Sequence, residues 1–238
     1  MTVRSHNIQN IGRSSGDMIS GNLLIICGHY GTGKTNLSVN LAIDSARSGK
    51  DVTLIDLDTV NPYFISSDHR DLLEQEGVKL ISSEFANTNV ESLSVPHIDL
   101  AFKSKGLTII DVGGDDVGAT VLGRYSQRIT NMGYEMWYVI NKYRPLISDH
   151  NETTEMLRNI ESACRLKATG IVNNSHLKEF TTAETINSST EYADRVSEDT
   201  KIPIVLTTHP KVITSGINKT DFLYAVDIYV RTPWDTRE

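Results

Sequence analysis

Eight consecutive residues, Gly28-His29-Tyr30-Gly31-Thr32-Gly33-Lys34-Thr35, set glycines, a lysine and a hydroxyl in the order G-x-x-x-x-G-K-T. Each position has a use if the ligand is a chain of phosphates. Glycines let backbone N–H groups turn inward around the oxygens, the lysine reaches the outer phosphates, and the hydroxyl binds Mg²⁺. The expected nucleotide contacts therefore run from Gly28 and His29 through Tyr30, Gly31, Thr32, Gly33, Lys34 and Thr35 to Asn36. A glycine turn without a ligand is the plainer alternative. A dinucleotide fingerprint needs G-x-G-x-x-G, which glycines at 28, 31 and 33 do not supply.

A phosphate cradle becomes hydrolytic only if something holds the metal and something aims a water at the terminal phosphate. Val52-Thr-Leu-Ile-Asp56-Leu-Asp58 and Leu107-Thr-Ile-Ile-Asp111 each run apolar residues into a carboxylate. In an open parallel sheet the ligand lies beyond the carboxyl ends of the strands, so all three acids are expected at one crevice. Asp111, an acid closing an apolar strand, joins Thr35 and Asp56 as the expected Mg²⁺ set. The plainer reading of Asp111 is a strand-end residue that caps the next turn.

These residues need a scaffold, and the chain reads as one. Short apolar runs at Leu23–Cys27, Val52–Leu57, Val78–Ile81, Leu107–Val112, Glu135–Ile140, Ala168–Val172, Pro203–Leu206 and Leu223–Val230 read as strands. Helices are expected over Lys34–Ser48, Ser67–Gln75, Gly118–Asn131, Glu152–Arg165 and Ala183–Ser197. Their alternation predicts an α/β fold: a mostly parallel twisted sheet of seven or eight strands with helices on both faces. Residues 1–20 read as a flexible arm and 21–238 as one nucleotide-binding domain.

Composition is that of a globular chain, with 238 residues, 39% hydrophobic and 22% charged. A net charge of −7 gives no overall electrostatic footprint for nucleic acid or an anionic membrane. No segment approaches the roughly 18 apolar residues of a membrane span, and a cytoplasmic location is the expectation. Cys27 and Cys164 form no CxxC pair.

Three segments together resemble the deviant-Walker ATPases of the MinD/ParA and nitrogenase-iron-protein superfamily: GHYGTGKT, Asp56-Leu-Asp58, and Asp111-Val-Gly-Gly-Asp115-Asp116-Val-Gly118. The resemblance covers Leu23 to about Pro210. It implies that ATP and Mg²⁺ are the cofactors, that Asp58 orients the attacking water with Lys34 as the other catalytic residue, and that amides at Gly113 and Gly114 sense the γ-phosphate. It also implies a base contact from Asn173, which otherwise reads as a turn residue, and a base-flanking loop at Thr208-His209-Pro210.

Departures narrow what carries over. Relatives that close as ATP-sandwich dimers have a second lysine after the first glycine, where this chain has His29; that histidine is either a weaker, pH-sensitive substitute or a solvent-facing side chain. Gly118 stands where the iron protein has a cluster cysteine, so no iron–sulfur cluster is expected. The tail has no basic amphipathic helix for membrane cycling. The expected partners are an unidentified protein and, depending on nucleotide, a second copy of the chain. Thr59 to Phe64 reads either as a nucleotide-gated contact or as a packed loop, and Arg124 with Arg128 as a ligand-facing pair or a solvated helix face. The resulting expectation is a Mg²⁺-dependent ATPase switch. Its alternatives are a biosynthetic enzyme like dethiobiotin synthetase or cobyrinate amidoligase, with Asp115, Asp116 and Arg124 lining a substrate pocket, and a DNA-segregation ATPase.

Overall fold

The computed structural model describes residues 18–57, 67–82, 99, 102, 104–114, 116–145, 148–218, 220 and 222–230. Eight strands form one sheet: β1 (Leu23–Cys27), β2 (Val52–Asp56), β3 (Val78–Ser82), β4 (Leu107–Asp111), β5 (Glu135–Ile140), β6 (Gly170–Asn173), β7 (Ile204–Pro210) and β8 (Leu223–Val226). The strand order is β3-β2-β4-β1-β5-β6-β7-β8, and every neighbouring pair is parallel. Among the described residues the α-helices are α1 (Lys34–Arg47), α2 (Ser67–Gln75), α3 (Asp116–Met132), α4 (His150–Cys164), α5 (Ala183–Asn187) and α6 (Thr190–Thr200).

Strand side chains alternate between two faces, and both faces are buried. Leu23, Ile25 and Cys27 of β1, with Met136, Tyr138 and Ile140 of β5, pack under Leu122, Ile129, Leu157, Ile160 and Val196 of α3, α4 and α6. Leu24 and Ile26, with Trp137 and Val139, pack under Leu37 and Leu41 of α1 and join Leu73 of α2. The expected architecture is the observed one.

Several boundaries differ for identifiable reasons. The single helix expected over Ala183–Ser197 is two helices. Thr182 caps α5 in a reciprocal box with Thr185, and the hydroxyl of Ser189, fully buried between α5 and α6, donates to the Ile186 carbonyl while accepting from Asn173. β8 ends at Val226 rather than Val230 because α1 takes over its hydrogen bonding. Asn40 exchanges bonds with the backbone of Asp227, and Asn36 Oδ1 accepts from the N–H groups of Tyr229 and Val230. Thr208, His209 and Pro210, expected after a strand, lie within β7 itself.

The last residues of the expected N-terminal arm are packed. Ile19 is buried, and the N–H and hydroxyl of Ser20 donate to the Glu135 carboxylate at 2.8 and 3.1 Å. Residues 1–17 and 231–238 lie outside the described residues.

Candidate functional site

β1 stands between β4 and β5, so the loop that leaves it emerges at the middle of the sheet. Gly28 passes so close to β5 that a Cβ there would sit 2.5 Å from the Val139 carbonyl oxygen. The loop then turns on the His29 carbonyl, which accepts from Thr32 N–H at 3.3 Å, Thr32 Oγ1 at 2.9 Å and Lys34 Nζ at 3.1 Å. Gly33, at φ 88°, caps α1 without any side-chain acceptor. The N–H groups of the first helical turn are thus left to an external anion, where the helix dipole also favours negative charge. Thr35, the hydroxyl expected on the metal, follows in that turn and is half-buried.

Asp56 and Asp111 sit in register on adjacent strands β2 and β4, and Asp111 is in register with Ile26 on its other side. Both are buried, at 7% and 1% exposure, and Leu57 N–H donates to the Asp111 carbonyl at 2.9 Å. Two carboxylates this buried at the sheet edge that carries the loop, with Thr35 opening α1, form a hard-oxygen donor set suited to Mg²⁺ completed by phosphate and water. Among the described residues no group of three or more His, Cys, Asp or Glu could form an all-protein metal cage.

Gly114 packs directly on the loop. A Cβ there would lie 2.5 Å from Tyr30 N and 3.0 Å from His29 C, so only glycine permits this approach. Gly113 is buried behind it. The segment after β4 and the phosphate loop therefore meet in one contact surface. Asp58, Thr59 to Phe64 and Asp115 lie outside the described residues.

Other expected site residues have structural engagements. The side chain of Asn36 is bound to the backbone of residues 227–230, leaving its main-chain N–H for a nucleotide. Asn173 is buried with Nδ2 donating to Ser189 Oγ at 2.9 Å. His29 is half-buried with Nδ1 3.0 Å from the Tyr30 carbonyl, whereas Tyr30 is exposed. Arg124 is exposed on α3, and Arg128 pairs with Asp99 and covers the Phe102 ring. The Cys27 thiol faces the Trp137 carbonyl, and burial pushes both cysteine thiols up.

Sequence reasoning missed Asn174. Its Nδ2 donates to the Thr32 carbonyl at 2.6 Å and its Oδ1 accepts from Thr208, so it supports the loop from below. Alternation along β6 was the available signal: neighbouring asparagines must face opposite sides of a sheet.

His176, just beyond, is 7% exposed, and its Nδ1 accepts from Lys178 N–H at 3.3 Å. Burial, then the nearby charge of Arg144, with His209 and Lys178, lowers its pKa from 6.5 to about 4. The folded protein keeps this ring neutral while the unfolded chain protonates it below 6.5, so its contribution is complete above that pH and is lost as pH falls toward 4. Urea unfolding at about pH 7.5 and about pH 5 should show a loss on the order of 2 kcal/mol that His176→Gln removes. An equal loss in the variant would refute the assignment.

The chain matches the family described as the CobQ/CobB/MinD/ParA nucleotide binding domain over residues 23–212. No curated protein matches it. Among solved structures it is similar to FlhF complexed with GTP/Mg(2+), at 14% identity and a TM-score of 0.51, over 82% of this chain and 72% of that one. It is similar to FtsY from Thermotoga maritima at 16% identity and a TM-score of 0.51, over 87% and 69% of the respective chains. FtsY from Mycoplasma mycoides matches at 18% identity and a TM-score of 0.49, over 79% of this chain, which spans 59% of that one. At these identities the likeness concerns the fold alone. No described helix is long and apolar enough to cross a membrane.

Proposed function

Since the chain belongs to the CobQ/CobB/MinD/ParA nucleotide-binding family, we propose that it is a Mg²⁺-dependent, ATP-hydrolysing switch of MinD/ParA type, cytoplasmic and acting on a protein partner. The observation that carries this reading is the contact of Gly114 with His29 and Tyr30, beside the in-register carboxylates Asp56 and Asp111. A segment that touches both the phosphate loop and a metal-type carboxylate can report which nucleotide is present.

In the proposed cycle, loop amides and Lys34 hold the β and γ oxygens, and Thr35, Asp56 and Asp111 would hold Mg²⁺. When bound, that ion neutralises charge on the phosphate oxygens. Asp58 orients a water whose oxygen attacks the γ-phosphorus. The bond from phosphorus to the β-bridging oxygen breaks, its electron pair stays on ADP, and the water's protons leave on inorganic phosphate and solvent. Loss of the γ-phosphate removes the ligand of the Gly114 N–H, and the segment after β4 is released.

ATP is assigned through the resemblance of Asn173 to an adenine-reading asparagine, while FlhF, of similar fold, was crystallised with GTP/Mg(2+); ATP and GTP are therefore assayed side by side. Phosphate release should require Mg²⁺, prefer ATP, and fall at least about 100-fold in both Lys34→Ala and Asp58→Ala. Release that is absent, or that neither substitution changes, would sink the reading. A metabolite that stabilises the protein against heat only when nucleotide is present would redirect it to a biosynthetic enzyme.

A further inference from the structure

The loop between β5 and α4 brings an arginine against the phosphate loop. Arg144 places Nε 3.5 Å, and Cδ and Cζ 3.7 Å, from the point where Gly31 would carry a Cβ. Gly31 directly follows Tyr30, on which Gly114 packs, so Arg144 and the segment after β4 meet the same limb of the loop. Among the described residues the guanidinium has no hydrogen-bond or ion-pair partner. A half-buried guanidinium, with five donors in a fixed fork, is matched best by phosphate or carboxylate oxygens.

Its surroundings favour an anion. Arg144 acts electrostatically on His176, as do His209 of β7 and Lys178 on the segment after β6. Among the described groups that act on His176 none is an acid, and the ring itself is held neutral. Hydrogen bonds anchor the segment from Asn141 to Arg144. Lys142 N–H donates to Ser175 Oγ at 2.9 Å and its ammonium to the Ser188 carbonyl at 2.7 Å, while the Tyr143 hydroxyl donates to the Thr185 carbonyl at 2.6 Å. Arg144 N–H donates to the Asn141 carbonyl, and Asn141 Nδ2 donates to the His176 carbonyl. A hydrogen-bonded backbone under a side chain with no partner among the described residues is an arrangement that positions a charge for a ligand with little reorganisation.

Resting on the switch reading above, we infer that Arg144 contacts the terminal phosphate of the bound nucleoside triphosphate, supplying in cis the second cation that position 29 lacks. The charge that develops on the γ-phosphoryl oxygens as the bridging bond breaks is then met by Lys34 on one side and Arg144 on the other. Gly31, at φ +77°, holds the loop in a left-handed turn that brings it within van der Waals reach of Arg144.

The test compares the native chain with Arg144→Ala and Arg144→Lys, using fluorescent ATP and ADP analogues and single-turnover hydrolysis, with circular dichroism to verify the fold. In Arg144→Ala, ATP analogue affinity should fall about 10-fold and ADP affinity less than about 2-fold, and hydrolysis should slow at least about 100-fold, since charge at the γ-phosphate matters most in the transition state. Arg144→Lys should recover part of the rate, and added guanidinium ion should partly rescue Arg144→Ala. Equal losses for ATP and ADP would make Arg144 a prop for the loop and overturn the inference, as would native-like affinity and rate. A native chain that discriminates ATP from ADP through Arg144 yet hydrolyses neither ATP nor GTP would overturn the ATPase reading and keep the contact. A native chain that binds no nucleotide would overturn both.

Discussion

Gly28→Ala should abolish nucleotide binding and destabilise the fold by about 3 kcal/mol, the upper range for forcing atoms into a packed site. The added Cβ would meet the Val139 carbonyl oxygen at 2.5 Å, Thr32 Oγ1 at 3.2 Å and the Val139 carbonyl carbon at 3.3 Å, and φ at this position is +151°. Val139 belongs to β5, which is paired on both sides and buried on both faces, so its backbone cannot retreat. The loop must move instead, and its amides then lose their common focus. Gly133→Ala is the matched control: φ is +78°, but nothing lies within 4 Å of the new carbon. Its cost should stay near 1 kcal/mol, that of a positive φ alone, with nucleotide affinity unchanged. Urea unfolding and titration with a fluorescent ATP analogue measure both quantities. Equal stability and affinity in the two variants would show that the contact with β5 does not shape the loop.

Asn174→Leu should cost about 3 kcal/mol and weaken ATP binding by about 10-fold or more, because it strands two buried polar partners at once. Asn174 is 2% exposed and joins the Thr32 carbonyl of the phosphate loop to the Thr208 hydroxyl of β7. Its own N–H continues to the Ile140 carbonyl of β5, so one residue ties the loop to two strands. Asn173→Leu provides the contrast. It breaks only the bond to Ser189 at the junction of α5 and α6, and should leave the phosphate contacts intact while altering the preference between ATP and GTP analogues. If Asn173→Leu weakens ATP and GTP analogues alike and Asn174→Leu weakens neither, the two roles are reversed.

How far each feature could be read depends on the range of the forces that make it. The phosphate loop was legible because its requirements are local: glycines at 28, 31 and 33 adopt positive φ, and lysine and threonine follow at once on α1. The parallel sheet was legible because strands buried on both faces read as near-continuous apolar runs, as Leu23–Cys27 does. Placing Asp56 and Asp111 together followed from the same rule, and the two are in register on the adjacent strands β2 and β4. The break between α5 and α6 was not legible. It depends on the Ser189 hydroxyl meeting Asn173, 16 residues earlier in the chain.

The division is clearest among the asparagines. Asn36, Asn173 and Asn174 are the same group in sequence, an amide able to donate and accept. Only tertiary placement decides that Asn36 binds residues 227–230 across a sequence separation of 191 or more, that Asn173 faces Ser189, and that Asn174 reaches Thr32 across 142. Alternation does part of this work, since Asn173 shares its side of β6 with Ile171, toward α6, and Asn174 shares its side with Val172, toward α1. Arg144 is the same kind of case. Nothing in Asn141-Lys-Tyr-Arg144 points to phosphate until the sheet order sets β5 beside β1 and lays the arginine on Gly31. Glycine geometry and strand burial are properties of short segments, so the sequence alone determined the loop, the sheet and the acids at its edge. Which polar side chain meets which is settled by contacts from 16 to 194 residues apart, and those exist only once the strands are ordered.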